Sequence, residues 1–430
     1  MDTLTSPSNL SIELLQLIFC YCTEFEDLPV GLFRSRPAWI VVSHVCSSWR
    51  GAALNYSSLW TSINTDKMGK RWIEAFLERS KASPIDVSVA IRTYEINFKT
   101  RYLLDVDEVI ALFTGCTRLR SLQITGEFRI IYKLLDELYT ATNIRSLSLD
   151  ITDQWTRPVE LHDNLFGGRA PIHEMCFVSV SYIIAPHWLL RGITHFTSNQ
   201  RIPLQFLLDT LRQMAALQSF TLERRILDWE ASDSPRDVQI PMQNLMHLKV
   251  DVDAGSPAIF ALLHRRLALP NGVKKRLRFH RSSDSYNSRW SLSILAIPPF
   301  LRDIINAAGG LQHVQFSGGV WVGSFLLWTG DTGYEETEFL FEVSWELRDH
   351  LFPIFDLPSF RVPIVSLDRY KFRQLWNVLE KLYAVEELEL CEDAVREFCS
   401  ARDAGRLAGL RSVRIVKTES TGDMAEMTAE

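Results

Sequence analysis

From Ser11 the chain reads SIELLQLIFCYC, and Leu14, Leu15, Leu17, Ile18, Phe19, Cys20, Tyr21 and Cys22 leave a helix over this stretch almost no polar face. Ser11 stands where a cap belongs, with Glu13 near the positive end of the helix. A short helix that is apolar nearly all round must be covered on several sides, so the pattern predicts a partner that completes its burial. Beyond Pro29 and Gly31 a second helix is predicted to begin near Pro37, where the missing N–H costs nothing, with Ser35 as its cap. Trp39, Val42, Cys46, Trp49 and Ala53 then recur at helical spacing in one continuous stripe, Arg50 beside Trp49 at its edge. Ser57, Ser58, Leu59 and Trp60 close this unit. Trp72, Ile73, Phe76 and Leu77 predict a further amphipathic helix, and Pro84 opens a strand in which Ile85, Val87 and Val89 alternate with polar residues.

From residue 83 onward a short strand signature repeats, apolar-x-x-apolar-x-apolar: LRSLQI at Leu119, IRSLSL at Ile144, IHEMCF at Ile172, ITHFTS at Ile193, LQSFTL at Leu217 and LMHLKV at Leu245. One such match in a chain this apolar means little; the spacing carries the argument. Successive starts differ by 25, 28, 21, 24 and 28 residues, within the range of about 20 to 29 set by leucine-rich repeats. Stretches with helical spacing precede several of them, at 106–113, 130–139 and 206–214. Such helix and strand units cannot bury their own apolar faces and are predicted to stack with parallel strands. The signature returns as LQHVQF from Leu311, VEELEL from Val385 and LRSVRI from Leu410, with helices predicted over 299–307 and 370–383. Between them two strands, 320–328 and 338–345, are predicted to form an inserted hairpin around the turn at 329–333, carrying Trp321, Trp328 and Tyr334.

The N-terminal residues resemble an F-box domain of the kind common in large fungal families. Leu10, Glu13, Leu14, Leu15, Ile18 and Phe19 fall on that family's first-helix motif, Val45, Cys46, Trp49 and Arg50 on its V-C-x-x-W-R, and Leu59 and Trp60 on its terminal L-W. Ser11 stands where the family usually has proline, and the connection after Thr23 is longer than usual. The resemblance implies a three-helix module that docks on a Skp-family adaptor, and through it a cullin. It implies Leu10, Ile12, Leu14, Leu15, Ile18, Phe19, Val45, Cys46, Trp49, Arg50, Leu59 and Trp60 as the adaptor-binding residues. The body is similar to the degenerate leucine-rich-repeat-like solenoids that follow F-boxes in many members, without the usual asparagine or cysteine after each strand.

The expectation is therefore α+β overall: a small all-α F-box module over 1–65, a connecting helix over 66–82, an α/β solenoid over 83–417 with the hairpin inserted near 320–345, and a disordered tail over 418–430. The expected function is substrate recognition in an SCF-type ubiquitin ligase, the solenoid holding an unknown protein substrate. Two alternatives stand beside it: an F-box scaffold or sensor that promotes no degradation, and a solenoid enzyme with a hidden pocket.

Composition bears on the classes that remain. At 430 residues the chain has room for about three ordinary domains. A net charge of −6 provides no global positive field for nucleic acid. Seven cysteines without a C-x-x-C read as reduced thiols of a cytoplasmic or nuclear protein. Neither a signal peptide nor a membrane span is expected. No P-loop, G-x-G-x-x-G, H-E-x-x-H or G-x-S-x-G is present, so no catalytic residue, cofactor or metal is expected. Cys20 and Cys22 fall within an apolar helix, where thiols are structural, and Asp251-x-Asp253 reads as solvated loop carboxylates. Lys274, Lys275, Arg276, Arg278 and Arg281, near Arg265 and Arg266, form a basic run that reads as a solvated face or as a site for an acidic partner.

Overall fold

The structure, a computed structural model, describes residues 10–24, 38–91, 94–96, 99–101, 104–152, 159–178, 183–199, 202–223, 226–227, 239–253, 263, 265–270, 273–280 and 399, and the strands His313–Gly318, Gly323–Trp328, Phe339–Ser344, Ile364–Asp368, Glu387–Cys391 and Ser412–Val416. The linker with Pro29, Gly31, Ser35 and Pro37, the helices expected at 299–307 and 370–383, the turn at 329–333, Arg281 and the tail from Thr418 lie outside the described residues. The chain divides into two compact units, Met1–Arg201 with Gln213–Leu217, and Ile202–Arg212 with Gln218–Glu430. Both combine helices with mainly parallel sheet, the coarse outline expected from the sequence.

In the first unit α1 (Ile12–Glu24) packs on a 3-10 helix (Ala38–His44) and on α2 (Ser47–Asn55). The continuous second helix expected from the stripe is broken. Cys46 is extended at φ −158° and ψ 174° with no side-chain cap, and the Ser43 hydroxyl donates to the Ile40 carbonyl at 2.7 Å, a local bond that competes with α-helical pairing. Arg50 spans the break, its Nε donating to the Ser43 carbonyl at 3.1 Å. A further 3-10 turn (Ser57–Trp60) delivers Trp60, whose Nε1 donates to the Ala53 carbonyl at 3.0 Å, satisfying the ring's polar atom in a buried site.

Trp60 meets Trp39 and Phe76 edge to face, with centroids 5.1 and 5.0 Å apart. Phe76 belongs to α3 (Lys70–Arg79), whose Ile73 and Phe76 are buried as the pattern predicted. The helical core therefore runs into the sheet without a gap. Its first strand, Ser62–Asn64, pairs in parallel with Ile85–Ala90, and Thr65 ties the two together, donating its amide to the Ser88 carbonyl at 2.9 Å and accepting from the Ala90 amide at 3.1 Å.

The sheet continues through Leu119–Gly126, Ser146–Ile151, Glu174–Val178 and His195–Asn199, all parallel. Ile63, Val87, Leu122, Leu147, Met175 and Phe196 stand in register as one buried row. In Ile85–Ala90 and Ser146–Ile151 alternate residues face away from the core, so these strands are half-buried. One backbone bond recurs at the second position of successive signatures: Arg145 N to Arg120 O at 2.7 Å, His173 N to Arg145 O at 2.8 Å and Thr194 N to His173 O at 2.8 Å. Helices α4 (Val106–Phe113), α5 (Phe128–Glu137) and α6 (His187–Arg191) alternate with these strands. A capping box fixes the start of α4: Glu108 N donates to Asp105 Oδ1 at 2.7 Å, and the Asp105 amide donates to the Glu108 carboxylate.

The second unit holds α7 (Leu204–Gln213) through Arg212. Its strands lie in the order Ser219–Glu223, His247–Asp253, Lys274–His280, Phe339–Ser344, Gly323–Trp328, His313–Gly318, Ile364–Asp368, Glu387–Cys391 and Ser412–Val416. Two features differ from the sequence reading. The basic run is a strand, parallel to His247–Asp253, and it escaped the signature because Lys275 stands in register with Leu248, where the pattern asks for an apolar residue. The hairpin is built into the sheet: Gly323–Trp328 pairs antiparallel with both Phe339–Ser344 and His313–Gly318.

Candidate functional site

The apolar excess of α1 resolves into two stripes. Leu15 and Phe19 point inward and are fully buried, Phe19 meeting Trp49 edge to face at 5.6 Å. Leu14, Leu17 and Tyr21, spaced three and four residues apart, lie on another side of the helix and are exposed together with Ile12. Val41 and Val45, flanking the break before α2, are exposed as well. These six side chains keep between 50% and 59% of their surface in solvent, an unusual concentration on a module of this size, since large apolar patches on folded proteins mark interaction sites.

Local chemistry explains why α1 holds this posture. Leu14 N donates to Ser11 Oγ at 3.4 Å, so the residue standing where the resembled family has proline serves as a side-chain cap. Glu13, at the positive helix end, is held below the usual glutamate range by its own backbone amide first and the Ser11 hydroxyl second. Toward the other end, Cys20 Sγ lies 3.5 Å from the Tyr56 hydroxyl, linking α1 to the residue that ends α2.

The expected adaptor-binding residues thus divide. Ile12, Leu14, Val45 and Arg50 are exposed, and Leu10, Ile18, Cys46 and Trp49 are half-buried. Leu15, Phe19, Leu59 and Trp60 belong to the module's own core, where a folded partner cannot reach them. Arg50 also serves the backbone of the preceding 3-10 helix. Leu17, Tyr21 and Val41 are exposed too but were not among the expected residues; Leu17 and Tyr21 could have been found from their spacing to Leu14.

Among the described residues no group of His, Cys, Asp and Glu is arranged to hold a metal ion, and no helix is long and apolar enough to cross a membrane. Compared with known proteins, the chain matches no family model and no curated sequence.

Proposed function

We propose that the chain is an F-box substrate receptor of an SCF-type ubiquitin ligase. The observation that carries this reading is the uncovered stripe of Leu14, Leu17 and Tyr21 on α1, with Val41 and Val45 of the same module exposed as well. It occupies the first helix of a segment whose residue order resembles the F-box, and it asks for an apolar partner such as a Skp-family adaptor. The packing of Trp60 on Phe76 and the pairing of Ser62–Asn64 with Ile85–Ala90 support a module joined without a loose linker to the first strands that follow it. The mechanism is proximity: linked binding sites raise the local concentration of substrate lysines near a recruited conjugating enzyme. The chain itself breaks no bond.

The test is capture of a purified Skp-family adaptor, and of cullin from extract, by the full chain and by a Leu14→Asp/Leu17→Asp variant. The reading requires the wild type to hold both and the folded variant to hold neither. A wild-type chain that takes up no adaptor would sink it.

A further inference from the structure

In the second unit, the strand pairing of His247–Asp253 with Lys274–His280 brings basic residues into adjacent positions. His247 is in register with Lys274 and Lys249 with Arg276. Their in-strand neighbours Leu248 and Val250 are buried, so these four positions lie on the opposite, solvent side of the strands; His247, Lys274 and Arg276 are exposed. Neighbouring strands are about 4.8 Å apart and alternate residues about 6.6 Å apart. The result is a two-by-two lattice of basic groups. Lys249 already has a partner, donating to Glu223 Oε1 at 2.9 Å. Among the described residues neither Lys274 nor Arg276 has an ion pair. The next row along the strands is mixed in charge, Glu223 and Asp251 being in register there with Arg278.

We infer that this lattice binds an acidic segment of another protein, in extended form, with carboxylates at alternate residues. The geometry selects that occupant. An extended peptide repeats its side chains on one side every two residues, about 6.6 Å, the separation of Lys274 and Arg276 along their strand. Two cations on an exposed sheet face, without an ion pair among the described residues, then meet two carboxylates without either chain bending. The inference deepens the receptor reading and rests on it for the identity of the bound protein as the substrate, though not for the binding itself.

The experiment is fluorescence anisotropy of the full chain with a short labelled peptide of alternating Glu and Ser. Its counterpart has Gln in place of each Glu. The acidic peptide is expected to bind about tenfold more tightly than the Gln peptide, with affinity falling as salt is raised. Lys274→Glu/Arg276→Glu should bring the two peptides to the same weak level, with an unchanged circular dichroism spectrum. Lys67→Glu/Arg71→Glu, an equal charge change on exposed residues of the first unit, should leave the preference intact. Equal binding of both peptides to the wild type, or equal loss in the two double variants, overturns the inference. So does tighter binding of single-stranded oligothymidylate in competition, which would assign the lattice to nucleic acid. Adaptor capture by the wild-type chain separates the two claims: capture without a preference for the acidic peptide refutes only the lattice, and the preference without capture refutes only the receptor reading.

Discussion

Arg118 donates from Nη2 to the Leu77 carbonyl at 2.9 Å, closing the end of α3 from the entry to the strand Leu119–Gly126. Its Nη1 donates to the Ser80 hydroxyl and the Ser83 carbonyl, each at 3.0 Å. One half-buried guanidinium thus satisfies the chain as it leaves the connecting helix, around a Ser80 that is wholly buried. Arg118→Ala should cost about 1–3 kcal/mol locally, because the groups left behind lose a charge-assisted partner. Hydrogen exchange at the Ser80 amide, which donates to the Phe76 carbonyl, should speed up accordingly. Lysine, with a point charge and no fork, should restore only part of the protection.

The two stripes of α1 should separate cleanly by mutation. Phe19→Ala removes a fully buried ring and should destabilise the helical module by about 3–5 kcal/mol, lowering its melting temperature. Leu14→Asp and Leu17→Asp act on exposed positions and should leave melting within about 0.5 kcal/mol of wild type while abolishing adaptor capture. Thermal melting and pull-down on the same preparations check both; capture that survives at Leu14 and Leu17 would place the docking face elsewhere.

Ser198 interrupts an apolar row. It stands in register with Phe177, in line with Leu149, Ile124 and Val89, and it is completely buried. Among the described residues its hydroxyl has no hydrogen-bond partner. A buried unsatisfied hydroxyl costs about 1–3 kcal/mol, so Ser198→Ala should raise the stability of the first unit. Denaturant unfolding checks this, and a destabilised alanine variant would mean that the hydroxyl is paired.

The Tyr56 phenol is pushed above its ordinary value of 10.0, first by its hydrogen bond with Cys20, then by burial and by the thiol's charge. Its folded value is the raised one, so this contact contributes its full stability below pH 10.0 and loses it as pH climbs through the folded value. The tyrosinate absorbance of wild type minus that of Tyr56→Phe should show a midpoint above 10.0, and Cys20→Ala should move it back down. A wild-type midpoint at or below 10.0 would remove the contact from the account.

Periodicity marked the strands Ile85–Ala90, Leu119–Gly126, Ser146–Ile151, Glu174–Val178 and His195–Asn199, but missed Ser62–Asn64, a strand inside the span 1–65 read as all-α. The first apolar residue of each signature, Leu119, Ile144, Ile172 and Ile193, is buried, and Ile85, Val87 and Val89 alternate as read. A strand with one buried face writes that face into every second residue, so its pattern survives without the fold. The capping of α1 by Ser11 and the amphipathic α3 were legible for the same local reason.

Only the tertiary structure decided which side of α1 is inside. Leu14 and Leu15 are chemically alike, and the choice rests on Phe19 and Leu15 finding the surfaces of the 3-10 helix and α2, with Trp49 against Phe19. The break at Cys46 and the strand hidden in the basic run depended likewise on non-local partners: Arg50 reaching the Ser43 carbonyl in one case, parallel pairing with His247–Asp253 in the other. Local pattern records how a segment divides between core and water, whereas the register of one strand on the next and the choice between two apolar stripes are properties of the packed whole.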